Sequence, residues 1–164
     1  MGKKKDIGTR FEDDTQECLT KFKRMQLLNF VRLYDTKSAR NFLPAQPGDF
    51  IVASGRAHLL ECKSSEKYRT LAEGQCLEDN VSAVQAAEHR LWAKAGNPCW
   101  FIFYSQPAGQ VELWRGDVVG LAYAKKQTLG EPEVAVGINM LSELLQVMFI
   151  GPVKEIDFDN ADLY

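Results

Sequence analysis

The sequence contains no apolar run approaching the roughly 20 residues that a membrane-spanning helix needs, so a membrane partner is not expected. Its first residues, Met1-Gly2-Lys3-Lys4-Lys5-Asp6, lack the apolar stretch of a signal peptide, and the expected location is cytoplasmic. Cysteine is sparse. The four residues, Cys18, Cys62, Cys76 and Cys99, form no C-x-x-C pair and have no histidine at ligand spacing. That argues against a zinc site and for reduced, mostly buried thiols. There is no internal repeat. Nor is there an excess of positive charge: the net charge is −2, which by itself speaks weakly against a nucleic-acid partner.

What is present is more informative. Length (164 residues), 45% apolar and 26% charged residues fit one ordinary globular domain, expected over residues 1–152, with an acidic C-terminal tail at 153–164. Charge is unevenly distributed. Residues 1–70 hold 14 Lys and Arg against 9 Asp and Glu, whereas residues 71–164 hold 6 against 13. Phosphate binding needs only a local positive surface, although two solvated faces would read the same way.

Hydrophobic spacing predicts an amphipathic helix over 8–30, in which Phe11, Cys18, Leu19, Phe22, Met25 and Leu28 recur at helical intervals. Thr9 can cap it, with Glu12 three residues on as a capping box requires. A strand at 30–34 and a long polar loop at 35–48 follow. Strands are then expected at 49–53 and 57–63, joined by a hairpin turn at Ser54-Gly55-Arg56. A helix starting near Glu78-Asp79-Asn80 should run through 81–95 and close at Gly96-Asn97-Pro98. Strands at 99–104 and 111–114 and a helix at 117–126 complete the recognisable elements. Residues 140–149 fit helix or strand. The order predicts an α/β or α+β fold with a mixed central sheet flanked by helices.

The chemistry concentrates in Pro47-Gly48-Asp49 and Glu61-Cys62-Lys63. Side chains alternate along a strand, so Glu61 and Lys63 share a face. If Gly55 centres a three-residue loop, paired residue numbers sum to 110 and Asp49 lies opposite Glu61, with Cβ atoms roughly 5 Å apart. Two carboxylates that close repel, and a hard divalent cation such as Mg²⁺ removes the conflict. Such an ion can polarise a scissile phosphate, while Lys63 orients water or stabilises developing charge. The alternative is a surface charge cluster. Against it, Phe50, Val52, Leu59, Leu60 and Cys62 mark the hairpin as central to the core.

This Pro-Gly-Asp…Glu-Cys-Lys pattern resembles the PD-(D/E)xK nuclease motif, with Asp49, Glu61 and Lys63 as its acidic and basic members. Gly8-Thr9-Arg10-Phe11-Glu12 and the hairpin from Asp49 to Ser64 resemble Holliday-junction resolvases of that superfamily, and with Gln85 the likeness covers roughly residues 8–105. The resemblance implies a restriction-endonuclease-like core and a homodimeric, structure-specific DNA endonuclease, encoded by a phage or mobile element if its compactness is a guide. It implies catalytic Glu12, Asp49, Glu61, Lys63 and Gln85, and Mg²⁺ (Mn²⁺ as substitute) held by Asp49, Glu61, the Cys62 backbone carbonyl and Glu12. Where those resolvases commonly carry a histidine near the helix glutamine, the nearest here is His89, four residues later. Other readings of the same pattern are a restriction-type endonuclease, a recombination exonuclease, or a non-catalytic nucleic-acid-binding protein.

Several residues carry two readings. Glu12 can be a capping glutamate only, and Gln85 a plain surface side chain. His58 falls on the face opposite Glu61 and reads as structural, and His89 as a solvated or capping histidine. Trp92, Trp100 and Trp114 read as core anchors. Arg32, Lys37, Arg40, Lys67 and Arg69 are the candidates for DNA phosphate contacts.

Overall fold

In the computed structural model, residues 6–33 and 46–151 are described. Lys37, Arg40, most of the expected 35–48 loop and the acidic tail lie outside them. The elements are α1 (Ile7–Arg24), β1 (Asn29–Arg32), β2 (Phe50–Ser54), β3 (Arg56–Ser65), α2 (Cys76–Asn80), α3 (Ala83–Lys94), β4 (Cys99–Ser105), β5 (Gln110–Arg115), α4 (Gly116–Lys125), β6 (Val134–Gly137) and α5 (Leu141–Phe149). The six strands form one sheet in sequence order, β1-β2-β3-β4-β5-β6. Every neighbouring pair is antiparallel except β3 and β4, which are parallel and joined through α2 and α3. The expected class, a mixed sheet flanked by helices, is the one found.

Strand alternation divides the core in two. Phe50, Val52, Leu60, Cys62 and Ile102 point to the layer made by α1 and α5. Phe101, Phe103 and Trp114 point to the opposite layer with α3 and α4, where Ala86, Val119 and Ala122 are buried. Because β3 is covered on both sides, Leu59, Leu60 and Glu61 are all nearly inaccessible. Any charge on this strand must therefore find partners inside the protein.

Four expectations are corrected. Asp6, not Thr9, caps α1, its carboxylate accepting from the Thr9 N–H at 2.8 Å. That helix ends at Arg24 and does not run to residue 30, because Gln26 adopts φ +60° and the chain turns back through Leu27 N–H to Phe22 O. The helix expected at 81–95 is found as α3, but it does not start near Glu78-Asp79-Asn80: those residues end the separate α2, Val81 is extended, and Ser82 starts α3 with its own capping box. Finally, β6 was not expected at all, since Val134–Gly137 is a four-residue edge strand exposed at its first two positions and without an alternating pattern. The ambiguous 140–149 segment is helical, its buried face being Leu141, Leu144, Leu145 and Phe149.

Candidate active site

The β2–β3 hairpin has the expected register. Pairs run from Ser54↔Arg56 to Phe50↔Leu60, each summing to 110, and Gly55 takes φ +79° at the turn. The ladder then breaks, one residue before the expected Asp49–Glu61 pair. In a regular strand a residue's N–H and C=O point to the same neighbour. At Asp49 they point to opposite ones: its N–H donates to Leu60 O at 3.0 Å, while its C=O accepts from Leu33 N–H at 2.7 Å. The chain twists here as it does at a bulge. Gly48 permits this approach, for a Cβ there would stand 2.9 Å from Leu59 Cδ1 and 3.1 Å from the Leu60 carbonyl.

The break directs the Asp49 carboxylate to the exposed edge of β3, where Oδ2 accepts from the Cys62 N–H at 2.7 Å. By the same strand rule the Cys62 C=O points to that edge too, past Phe50, the first residue of β2. Asp49 and Glu61 are thus brought together, not by direct pairing but by a side chain that takes over a ladder hydrogen bond.

Glu61 is 2% exposed and projects toward the α3 layer, adjacent to Phe101 of β4. Its Oε1 accepts from Lys63 Nζ at 2.7 Å and from Gln85 Nε2 at 2.5 Å. Its Oε2 is buried with no hydrogen-bond partner among the described residues. Gln85 is fixed from behind: it is the third helical residue of α3, its Oε1 accepts from Ser82 N–H at 3.0 Å and its own N–H donates to Ser82 Oγ at 3.2 Å. A capping box therefore also positions the amide that holds Glu61. Ser82 is the residue that sequence reading missed, although Ser-x-x-Gln ahead of an apolar run is its signature.

Electrostatics follow from this packing. Burial pushes the Glu61 carboxyl up to about 8, the nearby Asp49 charge adds to the rise, and Lys63 opposes it. Burial likewise raises Asp49 to about 6, against the Cys62 N–H. The pair resists carrying two negative charges unless a cation joins it.

Glu12 comes close enough from α1 for its charge to raise both Asp49 and Glu61. It does not complete a set of ligands. Its Oε2 is paired with Arg32 Nη2 at 2.7 Å, and among the described residues no group of three or more His, Cys, Asp or Glu side chains is placed to hold an ion. Arg32, expected as a phosphate contact, also donates from Nη1 to Asp13 Oδ1 (2.9 Å) and Gln16 Oε1 (2.7 Å).

Lys67 and Arg69 are exposed in the segment after β3. The Lys67 Nζ donates to the Tyr68 hydroxyl at 2.8 Å, and Tyr68 in turn donates to Asp79. His58 is a structural residue on the α5 side, as its parity predicts. Its Nδ1 accepts from Trp100 Nε1 at 3.3 Å and its ring meets Phe149 edge-on. His89 is neither solvated nor a cap: it is fully buried and lies 4.2 Å from the Phe101 ring, and burial lowers its pKa to about 3. It stays neutral and takes no place among the site's charged groups. Trp114 is buried as a core anchor.

No protein-family model matches the chain, and no curated protein is significantly similar to it in sequence. Among solved structures, Hjc of Archaeoglobus fulgidus, a Holliday junction resolvase from an archaeal hyperthermophile, is similar at 15% identity and a TM-score of 0.44, covering 85% of this chain and 89% of that one. Among the described residues no helix is long and apolar enough to cross a membrane.

Proposed function

We propose that this protein is a Mg²⁺-dependent DNA endonuclease that hydrolyses phosphodiesters, with Asp49, Glu61 and Lys63 as its central residues. The observation that carries the reading is the unpartnered, buried Glu61 Oε2 beside a second carboxylate. A buried carboxylate oxygen with nothing to bond costs stability unless a cation fills the gap. Asp49, Glu61 and the Cys62 carbonyl are all-oxygen donors, the set that Mg²⁺ prefers, with Mn²⁺ as a substitute. When bound, such an ion polarises a phosphate oxygen and lowers the pKa of water.

The protein's own groups do the rest. Gln85 and Lys63 both hold Oε1 of Glu61, which leaves Oε2 for the ion. The Lys63 side chain is 18% exposed against 2% for Glu61, and its ammonium can stabilise charge developing on the phosphate. Lys67 and Arg69, exposed beyond the end of β3, are placed to contact flanking phosphates.

Because both carboxylates are raised, the ion must displace protons. Divalent affinity is therefore expected to climb steeply between pH 6 and about 8 and then level, with proton release on binding. Calorimetry in two buffers of different ionisation enthalpy measures that release; pH-independent binding with none would contradict the site. Ca²⁺ should bind without supporting cleavage.

The substrate we infer is branched DNA, cut by a homodimer, since symmetric scission of a junction needs two sites. The support is the sequence likeness to Holliday-junction resolvases. Mg²⁺-dependent cleavage of a four-way junction, a flap and a linear duplex at equal concentration tests this. Preference for the junction at two symmetric positions is expected. Equal cutting of linear duplex would favour a restriction-type enzyme, and processive loss from ends an exonuclease.

A further inference from the structure

Arg32 lies between the acidic side of α1 and the ring of Phe50. On one side its guanidinium holds three side chains of α1, namely Glu12, Asp13 and Gln16, all within 2.9 Å. On the other it rests over the ring of Phe50, its strand partner, 5.8 Å from the centroid. The Arg32 side chain is 16% exposed and that of Glu12 31%, so solvent reaches both partners of the pair. The charge of Glu12 acts on both Asp49 and Glu61, and its carboxylate is held by Arg32 at 2.7 Å.

We infer that Arg32 is a latch on Glu12: it withholds this third carboxylate from the Asp49–Glu61 pair until a substrate phosphate competes for the guanidinium. The chemistry favours such an exchange. A guanidinium fork binds phosphate and carboxylate with the same paired geometry, so an incoming phosphodiester can replace Glu12 without leaving Arg32 unpaired. Asp13 and Gln16 keep the arginine in place while one edge changes partner. Released Glu12 is then drawn to a cation at Asp49 and Glu61, which strengthens ion binding only when DNA is present. Arg32 is thus a positioning residue that acts through Glu12. The inference rests on the metal-dependent reading above and adds to it the order in which substrate and ion are bound.

The test is a calorimetric titration of Mn²⁺ into the full chain without DNA, comparing wild type, Arg32→Gln, Glu12→Gln and the double variant. Arg32→Gln should bind Mn²⁺ about tenfold more tightly, since affinity at such sites follows the number of ligand charges. Glu12→Gln should bind Mn²⁺ no more tightly than wild type, and the double variant should lose the gain. Loss of a nearby positive charge alone would also tighten binding, but that gain would persist in the double variant and would overturn the latch. Unchanged affinity in Arg32→Gln overturns it as well. Arg32→Lys, which cannot hold Glu12 and Asp13 together, should show a smaller rise of about threefold and carries the test if the glutamine variant does not fold. A wild type that binds Mn²⁺ through Asp49 yet ignores Arg32 removes the latch alone. A wild type that binds none removes the metal site with it.

Discussion

Replacing Lys63 with alanine is expected to reduce Mg²⁺-dependent cleavage by about 10²–10³-fold or more, the usual effect of removing one preorganised group that meets developing charge. DNA affinity should fall by less than about tenfold, because one ammonium among several phosphate contacts changes little of the total. The contrast follows from placement. Lys63 is largely enclosed and its Nζ is committed to Glu61 Oε1 at 2.7 Å, so it has little surface with which to hold DNA. Removing it also takes away the only positive charge that pairs with Glu61 among the described residues, leaving Gln85 as the remaining donor to that oxygen. Single-turnover cleavage alongside equilibrium binding in Ca²⁺ separates the two effects. Equal loss of both would make Lys63 a binding residue.

Glu61→Gln should do two opposite things. It should abolish cation binding and cleavage, and it should stabilise the ion-free protein at high pH. A carboxyl raised in the folded state, as Glu61 is from 4.5 to about 8, contributes stability that is full below its unfolded value and is lost as pH climbs through the folded one. Asp49, raised to about 6, acts in the same direction. The wild type in chelator should therefore weaken between roughly pH 4.5 and 8, and divalent ions should restore it. The glutamine variant removes the larger part of that decline. Near pH 8.5 it should gain on the order of 2 kcal/mol, roughly 4–8 °C in melting temperature, while near pH 4 it should match wild type. Thermal melts across that pH range, with and without Mg²⁺, read the effect. A variant less stable than wild type at pH 8.5 would contradict the account of the buried pair.

The hairpin was legible in the sequence because its signals agree. Ser54-Gly55-Arg56 offers a residue able to take positive φ, and Phe50, Val52 and Leu60 alternate against it, so the register follows from local rules. Asp49 was legible as a member of the site, but its conformation was not. The twist that sends its N–H and C=O to different strands depends on Leu33 and Leu60, residues that meet it only in the assembled sheet. Gln85 had two readings because an Ala-rich helix hides which face is buried. The decisive contact, to Glu61 across 24 residues of sequence, is tertiary. Arg32 was legible as a cation but its partners were not: folding places Glu12, Asp13 and Gln16 along one side of α1 to receive it. His89 was misjudged for a similar reason, since nothing local marks a histidine that stacks on a strand residue such as Phe101.

The central claim is that this chain cuts DNA with a divalent ion held at Asp49 and Glu61. Nicking of supercoiled plasmid by the wild type and by folded Asp49→Ala, each in Mg²⁺ and in EDTA, tests it most directly. The account predicts nicking only by the wild type in Mg²⁺, with loss in Asp49→Ala of about 10³-fold or more. Plasmid left intact by the wild type in both Mg²⁺ and Mn²⁺, or nicked equally by the variant, would contradict it.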